Sequence, residues 1–276
     1  MKSPEGQEYK TISPFIRVGR TFFSLAISPF LRKEVIRKHP NDGLSRLEQL
    51  AQQGYGSLII GNHLSLGEPP RVLGITMMNP VLGDREIVSS IGIQQLKGYY
   101  KLAARITGVT ICPISNKDTL EYIQKHPEKA ERYEQALTKK GAAKLLSEYL
   151  TQQAPRVLNS GGSVLLYPQG GRRSSLEGIT DAVSTLINRT NRYGIDKFAI
   201  MFTGAGIRGI KRYDDKSIRG LNLGSVYELT IGRTLTKAEL LEEASERGIG
   251  IDQFVLEELR LVVPKSYLPR DFAITP

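Results

Sequence analysis

The stretch Ser57–Pro70, SLIIGNHLSLGEPP, constrains the fold more tightly than any other part of the chain. Leu58, Ile59 and Ile60 form a short apolar run closed by Gly61, the pattern of a short buried strand. Pro69 and Pro70 suit the first turn of a helix, where a missing N–H leaves no bond unmade. Glu68 precedes a proline and is biased away from the α region, so the helix is expected to begin just after it. His63 and Glu68 therefore share a strand-to-helix turn. On one regular helix, five residues would set them about 140° apart. α/β proteins place chemistry at the C-terminal ends of strands. An imidazole there can lean on a carboxylate that fixes its tautomer and stabilises its charged form, which equips it to activate a hydroxyl. The other two histidines, His39 and His126, precede prolines in charged surroundings and read as solvated loop residues.

A second informative stretch is Gly161–Ser175, GGSVLLYPQGGRRSS. Val164–Tyr167 reads as a strand that Pro168 stops. Gly170 and Gly171 let backbone approach a ligand closely, and Arg172 and Arg173 supply planar, permanently charged donors suited to a phosphate. The stretch is not a P-loop, because the GKS or GKT ending is absent, and no GxGxxG fingerprint follows a strand. Ser65 lacks the Gly-x-Ser-x-Gly context of a serine-hydrolase nucleophile.

The remaining chain supplies the helices and further strands of an α/β fold. Its expected form is a mixed, mainly parallel central sheet flanked by helices, with an N-terminal helical segment. Residues 11–38 read as an amphipathic helix in two pieces, broken at Pro14 and Pro29. That helix is basic and aromatic, fit either to pack on the domain or to lie in a membrane interface. Residues 43–53 read as another helix, and the boundary between the N-terminal segment, 1–53, and the α/β domain, 54–276, falls after it. Beyond the first motif, Arg71–Met78 continues as helix, Val81–Gly83 reads as a short strand, and Ile91–Arg105 as helix. Gly108–Ile114 is β-rich. A charged helical region spans Leu120–Gln153, interrupted at His126-Pro127 and around Gly141, and crosses back to the sheet as parallel topology requires. In the last third, Phe198–Phe202 is an apolar strand and Gly204–Arg212 a basic glycine-rich loop. Leu223–Thr234 reads as sheet-edge or hairpin strands. The helices Lys237–Arg247 and Asp252–Val262 follow. Arg208, Lys211 and Arg212 are candidates to extend a basic surface around the site.

Composition narrows the class of partner. The single cysteine, Cys112, excludes an intrachain disulfide framework and a multi-cysteine zinc site, and fits a reducing compartment. No apolar run approaches the roughly 20 residues needed to span a bilayer, and the first residues lack the order of a signal peptide. A formal charge of +10 favours acidic partners: a phosphorylated metabolite, coenzyme A, an acidic carrier protein, an anionic membrane or nucleic acid. Nucleic acid is disfavoured, because the sequence has no helix-turn-helix, zinc spacing or aromatic RNA-binding signature.

Asn62-His63-x4-Glu68, followed later by Tyr167-Pro168-Gln169-Gly170-Gly171-Arg172-Arg173-Ser174, resembles the glycerolipid acyltransferase superfamily, the glycerol-3-phosphate and 1-acylglycerol-3-phosphate acyltransferases. The resemblance covers roughly residues 55–205. The family's first block ends in Asp where this chain has Glu68, and its third block carries Glu where this chain has Gln169. The Gly-Gly-Arg form is similar to the soluble, plastid-type enzymes. The second block's Gly-Val start is present at Gly108-Val109, but its Arg is not, and Lys117 is the nearest cation. The fourth block is matched loosely by Phe198–Phe202. An HX4E pair also occurs in lipid A late acyltransferases, although the Pro-x-Gly-Gly-Arg block argues against that group.

The resemblance implies direct acyl transfer from a thioester, either acyl-CoA or acyl-carrier protein, to a hydroxyl of a phosphorylated glycerol. His63 would act as general base, oriented by Glu68. Arg172, with Lys117, Gly170, Gly171 and Arg173, would hold the substrate. No metal and no cofactor beyond the thioester co-substrate are implied. The expected setting is cytoplasmic, with peripheral contact to the inner face of an anionic membrane. The alternatives are a non-catalytic acyl-thioester or lipid-binding protein of this fold, and an acyltransferase for a different acceptor.

Overall fold

The computed structural model describes residues 12–27, 33–37, 43–93, 98–115, 117–129, 138–210, 213 and 225–269. The strands are β1 (Lys33–Arg37), β2 (Gly56–Gly61), β3 (Ile87–Gly92), β4 (Val109–Ile114), β5 (Ser163–Leu166), β6 (Phe198–Ile207) and β7 (Tyr227–Thr236). The helices are α1 (Pro14–Ile27), α2 (Gly43–Gln52), α3 (Glu68–Met78), α4 (Gly98–Thr107), α5 (Lys117–Lys125), α6 (Lys139–Glu148), α7 (Ala154–Asn159), α8 (Ala182–Arg192), α9 (Lys237–Glu246) and α10 (Ile251–Val262). A π-helical turn, Tyr149–Gln153, joins α6 to α7.

The strands form one seven-stranded sheet in the order β1-β7-β6-β2-β5-β3-β4. β2 to β6 run parallel to one another, whereas β7 returns antiparallel to β6 and carries β1 parallel to itself. The chain is therefore an α/β protein with a mixed, mostly parallel sheet. β2, β5 and β6 are buried along their whole length, as strands covered by helices on both faces must be. Two steps outward from β2, through α3 and α4, reach β3 and β4; two steps back, through α7 and α8, reach β5 and β6. Right-handed crossovers put these two pairs of helices on opposite faces. α1 packs across α3 and α4, while α8 packs against both α7 and α10.

Register sets the position of the site. Ile60 pairs with Leu166 on one side and Phe202 on the other, so β2 and β5 end level beside the middle of β6. The chain leaves β2 toward α3 and leaves β5 toward α8, in opposite directions from two adjacent strands. A crevice opens where neighbouring strands exit to opposite faces, at their C-terminal ends.

Several elements differ from the sequence expectation. Among the described residues of 11–38, Pro14–Ile27 form α1, and Lys33–Arg37, expected within a second helical piece, form a strand, β1. KEVIR is a short charged segment whose strand state comes from pairing with β7, from Lys33 opposite Tyr227 to Arg37 opposite Ile231. Ile91 belongs to β3, and the adjacent Ser89 and Ser90 obscured its strand pattern. Residues 82–84 form a 3-10 turn instead of a strand, because the Asn79 side-chain oxygen accepts from the Val81 and Leu82 amides at 3.0 Å each. Gly141 lies inside the first turn of α6, its N–H held by the Thr138 hydroxyl at 2.9 Å. Gly204–Ile207 is the end of β6 and not loop; a Cβ on Gly204 would stand 2.1 Å from the Val262 carbonyl oxygen. β7 is an inner strand, covered by β1. His39, Lys211 and Arg212 lie outside the described residues. Among the described residues, no helix is long and apolar enough to cross a membrane.

α1 is pinned by a buried cation. Arg20 is 1% exposed; its Nε donates to the Thr107 carbonyl at 2.7 Å, and Nη1 donates to those of Gly83 and Arg85 at 2.6 and 2.9 Å. Gly19 lets the helix approach this closely, since a Cβ there would meet the Ile106 carbonyl oxygen at 2.2 Å. Burial pushes the Arg20 guanidinium down to about 10, with Asp84 opposing. The unfolded guanidinium holds its proton to higher pH than the folded one. This group's desolvation cost is thus present at neutral pH and fades as pH rises past about 10. The three carbonyl bonds offset it. Arg20→Ala is expected to lower unfolding free energy by about 2–3 kcal/mol, because charge-assisted bonds are lost and buried carbonyls are left without a donor. Arg20→Lys should recover little, since one ammonium cannot span three carbonyls in a fixed fork. Denaturant melts giving all three proteins the same midpoint would contradict this account of α1.

Candidate functional site

The turn after β2 is held first by Asn62. Its side-chain amide donates to the Ala205 carbonyl at 3.1 Å and accepts from the Ala205 amide at 2.7 Å, so a side chain extends the β2–β6 ladder by one step. His63 is then tied through its backbone to the loop after β5. Its N–H donates to Gln169 Oε1 at 2.5 Å, and its carbonyl accepts from the Arg173 amide at 2.9 Å. Tyr267, in the 3-10 turn Lys265–Tyr267, places its hydroxyl 3.3 Å from Gln169 Oε1 and 3.1 Å from the Arg173 carbonyl. Gln169 works here as a stitch between the two loops. Hydrogen bonding alone performs that work, and a carboxamide supplies both a donor and an acceptor.

Glu68 is fully buried at the start of α3, with Pro69 and Pro70 behind it. His63 Nδ1 lies 2.6 Å from Glu68 Oε1. The Ser65 amide donates to both carboxylate oxygens, at 3.1 and 3.0 Å, and the Ser65 hydroxyl donates to Oε2 at 2.7 Å. A serine hydroxyl has one proton. With that proton committed to Glu68, Ser65 Oγ accepts from the Gly67 amide at 2.8 Å and from the Tyr227 hydroxyl at 2.6 Å. The Arg71 guanidinium lies over the Tyr227 ring, 3.8 Å from its centroid, and donates to the Gly67 carbonyl at 2.7 Å. Burial lowers the Arg71 pKa, opposed by Tyr227 and Glu68. The buried carboxylate thus sits in a chain of donors with a buried cation at its far end.

Nδ1 of His63, committed to a carboxylate, must carry a proton in the neutral imidazole. Nε2 makes no hydrogen bond among the described residues, and His63 lines a cavity of about 140 Å³. The cavity walls are mostly apolar, from Leu66, Pro70 and Leu73 on the α3 side and Ile91, Ile111 and Ile114 on β3 and β4, with Ser89, Ser90 and Tyr100 among them. Gly170, Gly171 and Arg172 close it on the His63 side of β5. Both glycines have positive φ, 67° and 142°, which a side chain would resist. Neither glycine N–H donates to a described group. Tyr167 also lines the cavity, its ring 5.4 Å from the His63 ring. Its hydroxyl is buried without a partner, and burial raises its pKa well above the usual phenol value.

Of the candidate residues from the sequence, His63, Gly170, Gly171 and Arg172 surround one cavity, and Glu68 stands directly behind His63. Arg173 does not line the cavity; it contributes its backbone amide to His63. Lys117 is the first residue of α5, and its side chain lies outside the described set. Arg208 is occupied by ion pairs to Glu34 and Glu228, which join β6 to β1 and β7. Ser65 is spent on orienting Glu68. Sequence reasoning missed Tyr227 and Tyr267, which reach the site from distant parts of the chain and carry no local signal. Among the described residues, no group of His, Cys, Asp and Glu side chains could hold a metal ion. No protein-family model matches the chain, and no curated protein matches it either.

The geometry predicts one tautomer. Nitrogen NMR of the His63 ring should show Nδ1 protonated and Nε2 unprotonated in the neutral form. Glu68→Gln should broaden that preference toward the mixture seen in free imidazole. A wild-type ring protonated at Nε2 would contradict the assigned pair.

Proposed function

We propose that this chain is an O-acyltransferase of glycerolipid synthesis, resembling the superfamily named above. It would move a fatty acyl group from acyl-CoA or acyl-carrier protein to a hydroxyl of glycerol-3-phosphate or 1-acylglycerol-3-phosphate. The observation that carries this reading is the combination at one crevice. A histidine held by a buried carboxylate turns its second nitrogen to an apolar cavity, beside a glycine pair and Arg172. An apolar cavity suits an acyl chain, and a guanidinium meets two phosphate oxygens at once.

In the proposed reaction His63 Nε2 takes the proton of the acceptor hydroxyl as that oxygen attacks the thioester carbonyl. The tetrahedral oxyanion that forms would lie near the free amides of Gly170 and Gly171, donors of the kind that stabilise such charge. When it collapses, the C–S bond breaks and the thiolate leaves with the proton returned from the imidazolium. Glu68 stays ionised, holding the ring and offsetting the imidazolium charge. Replacing Asp by Glu in this role costs nothing evident, since the longer side chain folds back onto the Ser65 amide and still reaches Nδ1. Thioester donors of this type place the reaction on the cytoplasmic side.

Mass-spectrometric product analysis with acyl-CoA and acyl-carrier thioesters, offered with glycerol-3-phosphate and lysophosphatidate, tests the reading. General-base assistance contributes ~10²–10⁴-fold, so His63→Ala should lose activity on that scale while remaining folded. Arg172→Lys should raise the KM for the phosphorylated acceptor, and Arg172→Ala should raise it further, toward a tenfold to hundredfold loss of efficiency at about 1.5–3 kcal/mol. Donor binding should change less. Wild-type protein that binds thioesters and yields no product would move the reading to an acyl-thioester-binding protein.

A further inference from the structure

Glu68 and Arg71 stand three residues apart at the start of α3, which makes them neighbours on one face of the helix. Both are 0% exposed. A carboxylate and a guanidinium taken out of water together act strongly on each other, because solvent no longer screens them. The Arg71 guanidinium is fixed by the Gly67 carbonyl at 2.7 Å, the Ser225 carbonyl at 3.3 Å and the Tyr227 ring. Burial lowers its pKa, and Tyr227 and Glu68 oppose that fall, so the field of the carboxylate reaches the guanidinium. The other groups that face Glu68 bring it no buried positive charge. Ser65 is neutral. Tyr227 on β7, Tyr167 just after β5 and Tyr267 in the 3-10 turn are phenols, and burial raises the pKa of the last two. Arg172 and Arg173, in the loop after β5, are partly exposed, so water screens them.

The charges of Arg71 and Glu68 cancel, so the cluster of Arg71, Glu68 and His63 is neutral while the imidazole is neutral. Without Arg71, the pair His63 and Glu68 is left at −1 beside a buried carboxylate. It regains neutrality by taking one proton from water. That proton costs Nε2 its lone pair in either of two arrangements. Added to the ring, it gives imidazolium beside carboxylate, with both nitrogens protonated. Added to Glu68, it makes the acid a donor to Nδ1, and the ring's own proton moves to Nε2. We propose that Arg71 is a positioning residue for this pair: its buried charge keeps Glu68 ionised beside a neutral ring and so leaves Nε2 bare. Arg71 does not line the cavity and acts through Glu68. The consequence for turnover rests on the general-base role proposed above, whereas the protonation state of the ring does not.

The test is a pH titration of the His63 ring nitrogens by NMR, in the full chain and without substrate. Arg71→Met and Arg71→Gln remove the charge and should raise the pH at which Nε2 loses its proton by about 1–3 pH units, the scale set by one nearby charge. Arg71→Lys keeps the charge and should reverse most of that shift, although an ammonium cannot reproduce the guanidinium's fork. In turnover, the acid limb of kcat/KM should move with the NMR midpoint, and the neutral variants should regain activity as pH rises. A residue that only supports the fold lowers activity at every pH and moves no midpoint. If Arg71→Met alone does not fold, Arg71→Met with Glu68→Gln should, because no lone charge then stays buried. Folded neutral variants that titrate at the wild-type midpoint overturn the proposal, as does a double variant no more stable than Arg71→Met. A shifted midpoint in a protein that transfers no acyl group leaves this role standing and overturns the function proposed above. Turnover with an unmoved midpoint does the reverse.

Discussion

A carboxylate taken fully out of water has to be given its hydrogen bonds by the protein, and Glu68 is where that demand falls. Its oxygens receive the Ser65 amide, the Ser65 hydroxyl and the His63 ring. Each donor imposes a further condition. The Ser65 hydroxyl can give its proton to Glu68 because Gly67 and Tyr227 supply the bonds that its oxygen accepts. Tyr227 is in turn held against Arg71. The His63 ring can point Nδ1 at Glu68 because its own peptide group is fixed on both sides by Gln169 and Arg173. The turn between β2 and α3 is thus specified by one buried charge and the donors gathered around it.

The sheet contributes level strand ends. Ile60, Leu166 and Phe202 lie abreast, so the loops after β2 and β5 begin at the same height and can be sewn together by short bonds. One chain then goes to each face of the sheet. The space between them is bounded by α3 on one side and β3 and β4 on the other, and its walls are mostly apolar because those elements bury their inner residues there. Polar groups reach it from His63, Tyr167 and the glycine–arginine turn, with Ser89, Ser90 and Tyr100 also in its lining. A largely apolar slot with a few polar groups set into its lining favours a ligand that is mostly hydrocarbon with a polar group attached.

The centre of the fold was readable because its signals are local. Leu58–Ile60 and Val164–Leu166 are uninterrupted apolar runs with punctuation at both ends, and the pair His63 and Glu68 sits within one turn whose prolines mark the helix start. The α/β class followed from those strands and the helices between them. β1 and β3 were not readable. KEVIR becomes a strand only because β7 offers it a partner, and IVSSIG has serines where alternation would have revealed it. Lone-residue roles that depend on distant chain were equally hidden. Nothing around Tyr227 or Tyr267 announces that their hydroxyls complete a turn formed by residues 63–68 and 169–173. Arg208 looked like part of a basic surface, whereas two carboxylates on neighbouring strands neutralise it.

The Tyr267 hydroxyl gives the site a place in time. It closes the junction between the two loops from the far end of the described chain, after α10 has crossed the sheet. Pairings between residues so far apart in sequence form late, because a long loop must close first. On a ribosome the strands that carry His63 and Gln169 emerge long before the residue that locks them together. A nascent chain therefore holds His63 and Glu68 without their final register, and the site reaches its working geometry only after Tyr267 has emerged.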